Sequence, residues 1–155
     1  TMQAVTELLK LGVDHSCVMQ TMHNDSLESL KKRAELLKRA ERLLDGNVAG
    51  VCISRAESEA EGISYEDIHP ISEILRDCED IELGFTMYEE EENRWRCSFR
   101  SDGNWINVNE LLQEFGGGGH AAAAGVRKRT NDMEKFKKEI LERIMMMRKK
   151  KECAK

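Results

Sequence analysis

The sequence predicts an α/β fold: a small mixed β-sheet flanked by helices and preceded by a short all-helical segment. Three observations support it. The first 45 residues carry apolar side chains at helical spacing, as amphipathic helices do. Later segments alternate apolar and polar residues, which is typical of half-buried strands. A run of four glycines, one histidine and four alanines stands between a short predicted helix and the last predicted strand. The chain is therefore expected to have two parts, 1–45 and 46–155.

Residues 1–45 are predicted to form three helices. The first spans residues 2–11 and ends at a glycine. Asp14 is expected to cap the second helix, over about 15–23, because aspartate is favoured at helix N-caps. A long third helix is expected over 27–44, with a nearby glycine as its stop. This all-helical part differs in kind from the rest of the chain.

The second part, residues 46–155, is predicted to alternate strands and helices. Because alanine is the strongest helix former, the four alanines at 121–124 are expected to form a short helix. The pattern predicts strands at 48–54, 81–88, 94–100 and 126–129, helices at 69–78, 108–115 and 132–147, and an acidic loop or helical turn at 59–67.

The net charge of −5 hides a strong asymmetry along the chain. Residues 57–92 hold fourteen acidic side chains and one basic one, whereas residues 126–155 hold twelve basic and five acidic ones. An acidic chain argues against a broad non-specific nucleic-acid clamp, whose footprint is usually basic. A local basic edge can still attract a short charged ligand.

Cysteine use and hydropathy bear on location. The five cysteines are scattered and form no CxxC pair, which predicts reduced thiols in the cytosol. No stretch of 18 apolar residues exists and no signal peptide opens the chain. The sequence therefore predicts a soluble, cytoplasmic protein that makes no contact with a membrane.

Residues 115–125, which read FGGGGHAAAAG, are the most informative stretch of the chain. Successive N–H groups of Gly116–Gly119 can form a concave anion site, and a following helix N-terminus adds partial positive charge. His120 can donate one more hydrogen bond to a phosphate oxygen. The alternatives are a flexible linker, although linkers usually run longer and mix glycine with serine, or a tight structural turn. The stretch lacks the spacing of a Walker A or GxGxxG motif. It predicts a phosphate or phosphodiester cradle.

This stretch resembles the signature of the DHH-associated domain, type 1, the C-terminal half of DHH phosphoesterases. A second match stands at the right distance upstream, where Arg100 and Ser101 follow Phe99, and residues 108–115 form a short helix leading into the glycines. The order of elements is most similar to the nano-RNase and pAp phosphatase branch, and less similar to the RecJ exonuclease branch. The resemblance covers about residues 46–155.

The resemblance implies a substrate-binding domain for the terminal phosphate of short oligonucleotides or phosphorylated nucleotides. It implies that residues 1–45 are the helical end of a DHH catalytic domain plus a linker helix, within a metal-dependent hydrolase. That N-terminal DHH domain would be the partner of this one and would hold a divalent metal, expected to be manganese. The implied binding residues are Arg100, Ser101, Gly116, Gly117, Gly118, Gly119 and His120.

The chain itself offers no set of catalytic residues or metal ligands. DHH enzymes carry an Asp-His-His run, but here Asp14 and His15 are followed by Ser16, which favours a helix cap. The other histidines stand singly, without ligands at metal-binding spacing. A hydrolytic metal site needs carboxylates and imidazoles that converge on one point. We therefore expect the chain alone to bind a phosphoester without cleaving it.

Two further classes of function remain open from the sequence. One is a stand-alone nucleic-acid binding module, and the other is a structural or dimerisation domain in which the glycines permit close packing. The sequence also leaves the substrate open, because short oligoribonucleotides, 3′-phosphoadenosine 5′-phosphate and cyclic dinucleotides all offer a phosphate to such a cradle.

Overall fold

The computed structural model describes residues 2–22 and 25–152 of the chain. It confirms the predicted fold class, since helices flank a mixed sheet and a helical stretch precedes it. The chain divides into two compact units, Thr1–Lys31 and Lys32–Lys155. The division at residue 46 inferred from the sequence stays a prediction.

The first unit consists of α1 (Met2–Lys10), α2 (His15–Met22) and the beginning of α3 (Leu27–Lys38). Asp14 caps α2 as predicted, because its Oδ1 accepts hydrogen bonds from the backbone N–H groups of Ser16 and Cys17, at 2.8 and 3.3 Å. The predicted end of this helix at His23 lies outside the described residues. No helix of the described part is long and apolar enough to cross a membrane.

The prediction of a helix over 27–44 is wrong at its C-terminal end. α3 stops at Lys38, and the chain continues as a short strand, β1 (Glu41–Leu43), that pairs antiparallel with β2 (Val48–Ile53). Asp45 and Gly46 lie in the tight turn between them with φ of 61° and 90°. Asp-Gly is a strong hairpin signal, and pairing with a buried strand outweighs the helical propensity of the leucines.

One six-stranded sheet organises the second unit, in the order β1-β2-β3-β4-β6-β5. Neighbouring strands are antiparallel except β2 and β3, which are parallel. The crossover from β2 to β3 contains three short helices, as parallel pairing requires a long connection. The remaining strands are β3 (Leu83–Glu91), β4 (Arg94–Ser101), β5 (Gly118–His120) and β6 (Ala123–Arg129), and the crossover helices are α4 (Arg55–Glu61), α5 (Tyr65–Ile68) and α6 (Ile71–Arg76).

Two apolar cores lie on opposite faces of this sheet. On one face, α7 (Val108–Gln113) and α8 (Met133–Glu152) cover buried residues of β3, β4 and β6. On the other face, the crossover helices cover β2 and β3. Strand β4 alternates accordingly, with Trp95, Cys97 and Phe99 buried against α7 and α8. Its intervening residues face the opposite side, beside α5.

The prediction of a helix for the alanine run is also wrong. Ala121 and Ala122 form a turn, and the following residues from Ala123 form β6, which pairs with β4 on one side and β5 on the other. A strand that is paired along both edges has hydrogen-bond partners for the backbone groups that point to either side, which outweighs the helix propensity of alanine. The chain therefore offers no helix N-terminus directly after the glycines.

The four described cysteines are free thiols. Burial raises the pKa of the Cys52 thiol to about 12, and burial likewise raises the pKa of Cys97. Because the thiolate is the reactive form, these two cysteines serve as core residues rather than nucleophiles.

Candidate anion-binding site

A cavity of about 350 Å³ lies over β4 and β6, on the sheet face away from α7 and α8. Small residues form its floor, Tyr65 of α5 and His69 at the end of that helix form one wall, and β5 borders the opposite side. The residues that line it include Tyr65, His69, Arg96, Ser98, Arg100, Gly118, Ala123, Gly125 and Arg127.

Strand register arranges the strand residues of this cavity, together with His120, which is not among the lining residues, in three parallel rows. Residues directly opposite each other in an antiparallel pair project on the same sheet face. The first row is His120, Ala123 and Arg100, the second is Gly118, Gly125 and Ser98, and the third is Arg127 and Arg96. Successive rows are two residues apart along β4, so the first and third lie roughly 13 Å apart at the backbone.

The first row contains two of the residues predicted from the sequence, of which Arg100 lines the cavity. Arg100 and His120 flank Ala123, whose strand separates theirs, so their backbones are roughly 10 Å apart with only a methyl group between them. The Arg100 Nη1 donates to its own neighbour's carbonyl, Phe99 O, at 3.2 Å, and among the described residues it forms no ion pair. Its guanidinium charge is therefore available to an anion placed over Ala123.

The four glycines have different surroundings. The N–H groups of Gly116 and Gly117 donate to the carbonyls of Gln113 and Leu112, at 3.1 and 2.8 Å, and so end α7. The N–H of Gly119 donates to Asn109 Oδ1 at 3.0 Å. These three donors already have protein partners, and Gly118 is the glycine of the run that lines the cavity. In this arrangement the glycines contribute to the shape of the cavity rather than providing a set of free N–H groups for an anion.

Ser101 lies on the opposite sheet face from Arg100 and is fully buried. Its Oγ donates to Ile106 O at 2.7 Å and accepts a hydrogen bond from the Gly103 N–H at 3.1 Å. The structure therefore does not bring Ser101 into the cavity. The serine instead closes the loop between β4 and α7, which holds the end of β4 in place.

Arg96, Arg127, Tyr65 and His69 also line the cavity and were missed from the sequence. A usable signal existed for Arg96, because its spacing from Arg100 puts both on one strand face. Nothing in the sequence aligned Arg127 with Arg96, since that depends on the register of β6 against β4. Tyr65 comes from a crossover helix that was predicted only as part of an acidic loop or helical turn.

The third row is positively charged and only partly neutralised. Arg96 Nη1 and Arg127 Nε each contact a carboxylate oxygen of Glu90 at 3.3 Å, so one acid bridges two arginines. The Arg96 guanidinium also lies over the Tyr65 ring, 4.0 Å from the centroid, a cation–π geometry that restrains it. With Arg100 included, the cavity holds three guanidinium groups, and among the described residues only those of Arg96 and Arg127 contact a carboxylate, that of Glu90.

His69 titrates within this positive field. Partial burial, followed by the charges of Arg100 and Arg96, lowers its pKa, while Glu73 opposes the shift. The neighbouring Tyr65 ring lies 5.3 Å from the imidazole, centroid to centroid. Because the folded-state pKa is below that of the unfolded chain, the contribution of His69 to stability is present above the unfolded value of 6.5 and is lost as pH falls from there through the lower folded-state pKa.

We predict that the NMR-determined pKa of His69 lies below 6.5 and rises in Arg100→Gln, because one of the opposing positive charges is removed. The matched control is Arg94→Gln, which removes an exposed arginine of β4 that pairs with Glu91 outside the cavity. His69→Gln identifies the resonance. An unchanged pKa in Arg100→Gln would contradict the placement of Arg100 beside His69.

No group of three or more histidine, cysteine, aspartate or glutamate residues that could hold a metal ion is found within residues 2–22 and 25–152.

The sheet, its two helical layers and the arginine-lined cavity define a small α/β domain with a cationic groove on one sheet face. The DHHA1 domain model matches residues 47–146, more than half of the chain. The chain therefore belongs to the DHHA1 domain family, and the resemblance inferred from its glycine and arginine motifs is confirmed at the level of that family.

Similar proteins are longer than this chain. This chain is 42% identical over 52 residues to the bifunctional oligoribonuclease and PAP phosphatase NrnA of Mycoplasma pneumoniae. The matched segment covers 34% of this chain and 15% of NrnA. An exopolyphosphatase-related protein from Bacteroides fragilis shares the fold, with a TM-score of 0.78 and 23% identity. The match covers 94% of this chain and 43% of the Bacteroides chain. The pGpG-specific phosphodiesterase PggH from Vibrio cholerae gives a TM-score of 0.55 at 14% identity, over 77% and 39% of the two chains. This chain thus spans less than half the length of each.

Proposed function

We propose that this domain binds the terminal phosphate of short oligonucleotides or phosphorylated nucleotides and holds it for hydrolysis by a separate metal-bearing DHH domain. One observation carries the proposal. Arg100 borders the cavity without an ion-pair partner in the described part of the chain, in the same cross-strand row as His120. Membership of the DHHA1 family and the activities for which NrnA and PggH are named support a phosphorylated nucleotide as the ligand.

In this proposal the phosphate sits over Ala123, where the methyl side chain leaves room. The planar guanidinium of Arg100 donates two hydrogen bonds to it, and His120 donates from the other side. Gly118 has no side chain, so the ligand can approach the backbone of β5 there. The space beside it is open, because the nearest atom to a Cβ at this position would be Asn109 Oδ1, at 3.7 Å. Asn109 and Ser101 hold β5 and the end of β4 in position.

The chemistry of hydrolysis belongs, in this proposal, to the separate domain. That domain supplies a divalent metal, expected to be manganese, which activates water and neutralises charge on the phosphoester. The residues described in this chain bind and orient the ligand. The cytoplasmic location remains a prediction.

Calorimetric titration with adenosine 5′-monophosphate tests the proposal. We expect wild-type binding that is absent with adenosine, which lacks the phosphate. Arg100→Gln and His120→Ala should each weaken binding by about 1.5–3 kcal/mol, the scale of a hydrogen bond to a charged group, without lowering the thermal midpoint.

Arg94→Gln is the control for general loss of positive charge, because Arg94 lies on the same strand outside the cavity. The proposal fails if wild type does not bind the mononucleotide, or if Arg100→Gln and Arg94→Gln weaken binding equally. Tight binding of long RNA without binding of the mononucleotide would favour a nucleic-acid module instead.

A further inference from the structure

A second cavity, of about 390 Å³, lies between the loop of residues 102–107 and the C-terminal half of α8. It shares no lining residue with the cavity that contains Arg100. Its volume falls within the usual range for a small-molecule site. The lining residues that bear on its chemistry are Trp105, Glu110, Arg143, Met147, Lys150 and Lys151. We call it the Trp105 cavity, and the proposed function does not use it.

The indole of Trp105 forms an aromatic wall of this cavity. The side chain is partly buried and packs, like Met147, against the core that α7 and α8 cover, and the indole also lines the cavity. The Arg148 guanidinium lies 5.8 Å from the ring centroid, within the range of a cation–π contact, which restrains the ring. A planar ring that enters the cavity can therefore stack on a fixed indole, as nucleobases do on tryptophan.

The loop that carries Trp105 is ordered by its own hydrogen bonds. The Asp102 Oδ1 accepts hydrogen bonds from the N–H groups of Asn104 and Trp105, at 2.8 and 2.9 Å. The Ser101 Oγ donates to Ile106 O at 2.7 Å and so ties the far end of the loop to β4. A wall that is held in this way loses little conformational freedom when a ligand binds, which favours affinity.

Positive charge lies on the α8 side of the Trp105 cavity. Arg143, Lys150 and Lys151 line it, against Glu110 as the one acidic lining residue. Among the side chains that the structure describes, neither lysine forms an ion pair, and the Lys151 Nζ donates to a carbonyl oxygen of the loop at 3.4 Å. The Arg143 Nη2 pairs with Glu114, whereas its Nε is buried without a hydrogen-bond partner in the described part of the chain. The surplus of positive charge attracts an anion.

We propose that the Trp105 cavity is a second nucleotide site, with the base against the indole and the phosphate at Lys150 and Lys151. The ligand class is a planar aromatic ring joined to a phosphate, supplied by a free nucleotide or by one residue of a single strand. Lysines alone attract any anion and an indole alone any apolar ring, but together they match this class.

This inference does not rest on the proposed function, because the two cavities are built from different residues. Trp105 packs on the α7 and α8 side of the sheet, and the cavity of Arg100 lies over the other face. A nucleotide in the Trp105 cavity is therefore not the one held for hydrolysis. It is an accessory ligand of the domain.

The experiment follows the indole N–H resonance of Trp105 by ¹⁵N NMR in Arg100→Gln, which weakens the first cavity. Trp105→Phe identifies the resonance, since the other indole of the chain belongs to Trp95. The probes are adenosine 5′-monophosphate, adenosine, inorganic phosphate and pentaadenylate. We expect the resonance to shift and saturate with the monophosphate. Adenosine and phosphate should each bind at least about fivefold more weakly, because each makes only part of the contacts.

Variants of α8 test the phosphate position. Lys150→Gln combined with Lys151→Gln should weaken binding of the monophosphate at Trp105 about fivefold or more, because two charged contacts are lost. The matched control combines Lys135→Gln with Lys138→Gln, which removes two lysines from the same helix outside this cavity. The control should change the affinity less than about twofold, since exposed charges at that distance are screened.

Variants of Trp105 test the base position by calorimetry in the same Arg100→Gln background. Trp105→Phe keeps a smaller aromatic ring and should weaken binding about threefold, whereas Trp105→Leu removes stacking and should weaken it about tenfold. Thermal melting of each variant separates these effects from loss of fold. If the leucine variant does not fold, the phenylalanine variant and the lysine variants still decide.

The outcomes separate a nucleotide site from weaker explanations. Equal affinity for phosphate and the monophosphate would mean an adventitious ion only and would refute the proposal. A Trp105 resonance that moves with neither nucleotide probe also refutes it, as does equal weakening by the two double-lysine variants. Saturation by the monophosphate assigns the site to a free nucleotide. A shift with pentaadenylate alone that is lost without Lys150 and Lys151 assigns it to a single strand, and both support the proposal.

Discussion

Gly119→Ala is expected to destabilise the domain by about 3 kcal/mol, whereas Gly118→Ala should change its stability by less than about 0.5 kcal/mol. A Cβ at Gly119 would lie 2.4 Å from Ala123 O and 2.6 Å from Ala124 Cα, both backbone atoms of a strand paired on each side. Neither atom can move without breaking the β5–β6 ladder. At Gly118 the nearest atom to a Cβ is a side-chain oxygen at 3.7 Å, which is ordinary contact.

Chemical denaturation of the two variants measures this difference in the free energy of unfolding. The comparison is matched, because both changes add one methyl group to adjacent residues of β5. Gly118→Ala should still weaken mononucleotide binding, since its methyl group enters the cavity. Equal stability of the two variants would contradict the close packing of β5 against β6.

Gly84→Ala is expected to cost about 3 kcal/mol for a different reason. Gly84 lies on β3 under α6, and a Cβ there would be 2.2 Å from Ser72 O and 2.8 Å from Arg76 N. The added methyl group would push the helix off the sheet. Because α6 begins two residues after His69, the displacement should also disturb the cavity wall and weaken ligand binding.

Gly125→Ala is the control for the effect of a methyl group on a strand glycine. A Cβ there would lie 3.1 Å from Cys97 O, a contact that a small shift relieves, so we expect a loss below about 1 kcal/mol. If Gly84→Ala unfolds at the same denaturant concentration as Gly125→Ala, α6 does not pack on β3 as the structure has it.

The sequence predicted the elements whose local signals agree with their tertiary surroundings. The strands containing Val51, Phe85 and Phe99 alternate or run apolar, and their side chains fill the two cores. The cap at Asp14 is a local interaction and was predicted correctly. The family was recognised from a short glycine and histidine motif, and the match over residues 47–146 confirms it.

The errors arose where pairing with distant strands decides the local structure. The alanines favour helix by themselves, and they form a strand because β4 and β5 pair with both edges of β6. The residues at 41–43 join the sheet for the same reason. Long-range pairing of this kind is not encoded in local propensity.

The candidate site was also predicted only in part, because its arrangement depends on the pairing of distant strands. Arg100 and His120 were predicted from their motifs, and the structure places them in one cross-strand row. Ser101 was predicted beside Arg100, but adjacent residues of a strand face opposite sides, so the serine is buried. Arg127 joins Arg96 only through register, which a reading of either strand alone does not provide.

Asn109 connects the edge of the sheet to α7, and this has a consequence for association between molecules. β5 is an outermost strand, and a free edge of this kind can template the addition of a strand from another chain. The amide oxygen of Asn109 occupies one of the few donors that β5 has, and the strand is only three residues long. The contact that fixes the glycine backbone beside the cavity thus also protects the domain from edge-to-edge aggregation.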